Sequence, residues 1–144
     1  MWIFYIHPIL QATAFLFALY ALYLGFQKFR LLHLNHKVTF NWKRHVILGQ
    51  IALEEWIIGM IIGASLVRYS WYGWFITGLH AKIALTMLPL ILFGLISGVY
   101  MNLKQTKRKV LPLVHGINNT IVLILAFCQF FIGWQVFKVY VLGE

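Results

Sequence analysis

Six histidines interrupt an otherwise apolar chain, and four of them, His7, His45, His80 and His115, obey one spacing rule. Eighteen residues after each stands a glycine: Gly25, Gly63, Gly98 and Gly133. At about 100° per residue, eighteen residues make five whole turns of α-helix, so each histidine shares a helix face with its glycine, ~27 Å along the axis. The other two, His33 and His36, are followed at that distance by Ile51 and Glu54. Imidazole binds metals and carries protons near neutral pH. Glycine contributes close approach and nothing else. The pattern therefore supplies two things, a ligand nitrogen and a stretch of backbone free of side chains.

Membrane helices are the elements that must position these residues. Of 144 residues, 62% are hydrophobic, 17% aromatic and 10% charged, which excludes an ordinary soluble domain. Four apolar runs, Pro8 to Phe26, Val46 to Val67, Leu79 to Leu103 and Val110 to Phe137, are each long enough for the ~30 Å hydrocarbon layer. Short loops join them. The expected fold is all-α, a single transmembrane domain over residues 1–144 forming an integral membrane four-helix up-down-up-down bundle, with helices at about 7–29, 42–67, 77–103 and 111–138. No basic residue precedes the first run and no small-residue cleavage site follows it, so it is expected to remain as a helix rather than be removed as a signal. Cys128 is the one cysteine, which excludes an internal disulfide.

The net charge of +9 has a membrane origin rather than a nucleic-acid one. Lys28, Arg30, Lys37, Lys43 and Arg44 lie between the first two helices, and Lys104, Lys107, Arg108 and Lys109 between the last two. Both loops fall on one side of the bundle. The positive-inside rule places that side in the cytoplasm and the two termini, with the aromatic "RYSWYGW" loop, outside; a bacterial inner membrane is the expected location.

Each of the four histidines stands near a helix start signal: Pro8 after His7, Asn41 before His45, Thr77 and Gly78 before His80, Pro112 before His115. With alternating helix directions, His7 and His80 share the outer level and His45 and His115 the inner one. In a ring of four helices each pair faces across a diagonal. Gly25 and Gly98 then flank the inner pair, and Gly63 and Gly133 the outer. Facing neutral imidazoles suit zinc, copper or haem iron, and histidines satisfied within the core are the plain alternative. The layering favours haem, because a flat macrocycle needs axial nitrogens on both faces and bare backbone at its edges. Two b-type haems follow, the outer on His7 and His80 and the inner on His45 and His115. Lys43, Arg44 and Lys104 are expected beside the inner propionates and Arg68 beside the outer ones, with Gln11 and Asn119 hydrogen-bonding either propionate or quinone or, equally, a neighbouring helix.

Two carboxylates sit near the middle of the second helix. Glu54 is nine residues from His45 and points ~180° away from the histidine face, while Glu55 lies ~80° to its side. An intramembrane carboxylate is expensive, which makes both candidates for contact with quinone, a partner helix or a second copy of the chain. Lys82 is placed to snorkel to the outer surface.

The segments "HPILQ", "WKRHVILGQIAL", "TGLHAKIALTMLP", "FGLISGVYM" and "LPLVHGINN" resemble a family of small bacterial and plastid membrane proteins that look like the four-helix core of the transmembrane di-haem b-type cytochromes. The resemblance runs over nearly the whole chain. It implies the same histidine arrangement on His7, His45, His80 and His115, and does not extend to the substrate chemistry of six-helix relatives. The expected role is transmembrane electron transfer between quinol or quinone and a redox partner protein. Two alternatives stand beside it: a haem-bearing membrane anchor within a larger membrane complex, and a non-haem proton-coupled transporter or scaffold using Glu54, Glu55 and Lys82. A homodimer is compatible with each.

Overall fold

The computed structural model describes residues 2–144. Four helices follow one another: α1 (Ile3–His33), α2 (Trp42–Trp71), α3 (Leu79–Leu103) and α4 (Val110–Phe137), the last ending in a π-helical turn over Lys138–Leu142. All four are long and apolar enough to cross a membrane, which makes the chain an integral membrane protein. Each helix satisfies its own backbone polar groups, the condition for crossing hydrocarbon.

Local signals fix the boundaries. Asn41 caps α2 by accepting the Arg44 amide on its side-chain oxygen at 3.1 Å. α3 opens at Gly78, whose φ of +57° suits glycine. Both α1 and α2 run about a turn further than the expected ends at 29 and 67, to His33 and Trp71. α1 also begins earlier, at Ile3, and α4 begins at Val110. His7 and His115 consequently sit in the second turn rather than at the helix start, where the helix dipole has largely decayed.

The helices form a ring in chain order, α1 on α2, α2 on α3, α3 on α4 and α4 on α1, with α1–α2 and α3–α4 the closer pairs. α1 therefore lies diagonally opposite α3, and α2 opposite α4. One end of the bundle carries the two lysine- and arginine-rich loops, here the basic end; the other carries Trp71 at the end of α2 and the α2–α3 loop with Tyr72 and Trp74, here the aromatic end. A dry plug fills the middle: Ala14, Leu53, Trp56, Met87, Ile91, Val122, Leu123 and Ala126 are buried against one another, with Ile91 and Val122 fully enclosed. These residues separate the basic end from the aromatic end by close-packed apolar side chains. The outward faces are apolar, including Ile9, Leu16, Ile58, Ile61, Ile96 and Ile124, as a lipid-facing surface requires.

Candidate functional site

Two histidine pairs meet inside the ring. At the aromatic end the rings of His7 and His80 stand 6.0 Å apart, centroid to centroid, with planes at 84°. At the basic end His45 and His115 stand 6.3 Å apart at 71°. α1 and α3 supply the first pair and α2 and α4 the second, so each pair spans a diagonal of the bundle.

The four glycines stand beside these rings. A Cβ at Gly63 would lie 2.8 Å from His7 Nδ1, and one at Gly133 would lie 3.1 Å from His80 Cε1. At the other end a Cβ at Gly25 would lie 3.0 Å from His45 Cε1, and one at Gly98 would lie 3.4 Å from His115 Cε1. The level assignment read from the spacing is thus the spatial one. Its steric reason differs in one respect: the space left by each missing side chain is taken first by the imidazole of the neighbouring helix. The histidine of one helix docks against the glycine of its hairpin partner, and the exchange is reciprocal.

Docking places the imidazole beside the neighbouring helix backbone. His7 Nδ1 donates to the Gly59 carbonyl at 2.7 Å, and His45 Nδ1 donates to the Ala21 carbonyl at 2.9 Å. In both cases the acceptor lies four residues before the notch glycine. A carbonyl can only accept, so the proton is on Nδ1 and the Nε2 lone pair is free. Tying down one ring nitrogen in this way is how proteins orient a metal-ligating histidine.

In the α3–α4 hairpin a side chain performs this task for His115. Ser97, itself buried, spends its hydroxyl proton on the Phe93 carbonyl at 2.6 Å, leaving Oγ to accept from His115 Nδ1 at 2.8 Å. Gln129 donates to the His80 carbonyl oxygen at 2.9 Å, while Gln129 Oε1 and His80 Nδ1 are both buried without a partner. Sequence reasoning missed Ser97 and Gln129. Their positions, one and four residues before Gly98 and Gly133, are the signal that could have found them.

The remaining expected residues divide. Asn119 reaches His115, its amide nitrogen 3.0 Å from Nε2, and packs against Gly94. Gln11 packs against Gly59 and donates to the Trp56 carbonyl at 3.5 Å. A cavity of ≈1450 Å³ at the basic end takes in His45, His115, Gly25 and Gly98, and its cations are Lys28, Lys107, Arg108 and Lys109. Lys43, Arg44 and Lys104 do not line it. Arg44 faces a separate cleft with Arg30 and Lys37, and Lys104 sits over the Tyr100 ring at 5.5 Å. Arg68 lies over Trp74 at 5.8 Å. Near mid-span, Glu55 accepts from Thr13 of α1 at 3.2 Å, whereas Glu54 is exposed on the outer face and bonded only to Gln50, at 3.0 Å.

Opposed neutral imidazoles can serve as trans ligands to a single metal centre. They cannot by themselves complete a tetrahedral site, and no cluster of three or more histidine, cysteine or acidic side chains able to hold a metal occurs among the described residues. No family model, curated protein or solved structure matches the chain, so what the site does must be argued from its own residues.

Proposed function

We propose that the protein is a transmembrane electron carrier holding two b-type haems, one between His7 and His80 and one between His45 and His115. The separation of the paired rings carries this reading. A metal–imidazole bond is about 2.0–2.1 Å long and each nitrogen lies roughly 1.1 Å from its ring centroid, so trans imidazoles on one metal have centroids about 6.3 Å apart. The observed separations are 6.0 and 6.3 Å. Two ligands without a third or fourth fit a metal whose equatorial positions come from a macrocycle, and not zinc.

His7 with His80, and His45 with His115, would hold the haems, which would supply one-electron chemistry suited to outer-sphere transfer rather than oxygen activation. The chain's residues hold the ligand nitrogens, fix their tautomers and keep water out of the plug between the ends. Lys28, Lys107, Arg108 and Lys109 offer cations to propionates at the basic end. With that end in the cytoplasm, the two sites lie near opposite membrane surfaces. The resemblance to di-haem b cytochromes points the same way. The exposed Glu54 favours a second reading, in which the carrier is the anchor of a larger complex and Glu54 meets a quinone or a partner helix.

The deciding experiment is a reduced-minus-oxidised visible spectrum of protein purified from haem-supplied cells, with haem counted per chain. Two haems per chain with low-spin b-type bands are expected. A colourless preparation overturns the proposal.

A further inference from the structure

All four imidazoles present the same question of what holds Nδ1, and the two hairpins answer it differently. In α1–α2 the holders are backbone carbonyls, of Gly59 and Ala21, which no substitution removes. In α3–α4 a side chain holds His115, and His80 Nδ1 has no partner. Ser97 Oγ receives His115 Nδ1 at 2.8 Å. At the other end, His80 Nδ1 and Gln129 Oε1 are the unpartnered donor and acceptor on two residues already joined by a 2.9 Å bond. Gln129 is thus the polar side chain bonded to the residue whose ring nitrogen lacks a partner. Each diagonal pair thus combines one imidazole held by backbone with one that is not: His115 is held by Ser97, and His80 has Gln129 on its carbonyl.

We propose, resting on the two-haem reading, that Ser97 and Gln129 are positioning residues that separately set the potentials of the two haems, each from the helix that ligates the other one. Ser97 belongs to α3, which supplies His80, yet it holds the His115 ring; Gln129 belongs to α4, which supplies His115, yet it bonds the His80 carbonyl. Accepting a hydrogen bond from Nδ1–H makes the imidazole a stronger electron donor, which favours the ferric state and lowers the potential. Removing the acceptor raises it. The effect stays at one level because the levels are ~27 Å apart with the buried plug between them.

Redox titration of Ser97→Ala, Ser97→Thr and Gln129→Leu tests this, with bands assigned from His7→Ala and His45→Ala, each of which leaves the opposite haem in place. Ser97→Ala should raise the potential of the His45–His115 haem alone, by up to about tenfold in the reduction equilibrium, which is ~59 mV for one electron. Gln129→Leu should raise the His7–His80 haem alone. Ser97→Thr keeps a hydroxyl and should keep the native potential and ferric low-spin electron paramagnetic resonance signal. Haem content at the native level with unmoved potentials, or a shift at the wrong haem, overturns the inference while leaving the cytochrome reading intact. Loss of the haem in both Ser97→Ala and Ser97→Thr also overturns it, because the hydroxyl is then not what matters. A wild-type protein without haem refutes the underlying reading instead.

Discussion

Gly63→Ala is the most discriminating small perturbation of the histidine–glycine contacts. The new methyl would sit 2.8 Å from His7 Nδ1 and 2.9 Å from Cε1, closer than packed carbons tolerate. The ring cannot retreat freely, because its Nδ1 is tied to the Gly59 carbonyl at 2.7 Å. Losing that bond costs about 0.5–1.5 kcal/mol, and overpacking a close-fitting core costs about 1–3 kcal/mol. The two costs overlap, since retreat of the ring relieves the clash by breaking the bond. Alanine returns roughly 0.5–1 kcal/mol through helix propensity. The net expectation is a loss of about 1–2 kcal/mol. At Gly98 the same methyl would meet His115 Cε1 at 3.4 Å, an ordinary contact, so the propensity gain dominates and Gly98→Ala should be neutral to about 1 kcal/mol stabilising. Gly25 and Gly133, at 3.0 and 3.1 Å, should fall between. Reversible unfolding in mixed micelles of the haem-free protein measures all four. If Gly98→Ala proved as damaging as Gly63→Ala, the docking of imidazole into the glycine notch would not be what these positions are for.

Further outcomes follow from the same geometry. His7→Ala and His80→Ala should remove one common haem, and His45→Ala and His115→Ala the other; haem counts and spectra of the four variants check the pairing, and loss of the same haem from His7→Ala and His45→Ala would break it. Asn119 occupies His115 Nε2 at 3.0 Å and must swing aside before that nitrogen can bind a metal, so Asn119→Ala should take up haem at the basic end several-fold faster in reconstitution kinetics. Glu54→Gln should leave both haem spectra unchanged; slower quinol-driven reduction would assign the carboxylate to quinone chemistry, and a change of oligomeric size by light scattering to assembly.

The bundle was readable from the sequence because lipid imposes a simple demand: four apolar runs of spanning length, joined by short loops, leave few arrangements. The relation of His7 to Gly25, or of His80 to Gly98, was readable because helical periodicity converts spacing directly into angle and height. Residues whose direction is set outside a helix face were not. Arg44 and Lys43 precede His45 by one and two positions, which turns them about 100° and 200° from its face, and neither reaches the cavity. Lys28, three residues after Gly25 and only about 60° from it, does line the cavity. Lys104 lies beyond the end of α3, where its cation settles on Tyr100 rather than on the site. Ser97 and Gln129 escaped notice because a hydroxyl or amide in a membrane helix has an ordinary use in helix packing, and spacing alone does not tie them to His115 and His80.

The reciprocal docking also accounts for the repetition of one offset in four helices. In an antiparallel hairpin, a histidine near one end of a helix must meet its glycine near the opposite end of the partner, and the reverse must hold at the other end. Both contacts face the bundle interior only if histidine and glycine of each helix share a face, which admits separations close to whole turns. His7 docks at Gly63 and His45 at Gly25; in the second hairpin His80 docks at Gly133 and His115 at Gly98. The two hairpins are thus a repeat, related by an approximate two-fold axis along the bundle, and their histidines lie 38 and 35 residues apart. Such an axis passes between the rings of each pair, at a point where a symmetric ligand can sit and an asymmetric three- or four-residue metal site cannot. The departures from symmetry are then informative. One hairpin holds both imidazoles by backbone carbonyls, whereas in the other Ser97 holds His115 and Gln129 bonds only the His80 carbonyl, so the two-fold repeat fixes where the pairs stand and side chains of the second hairpin alone break the equivalence.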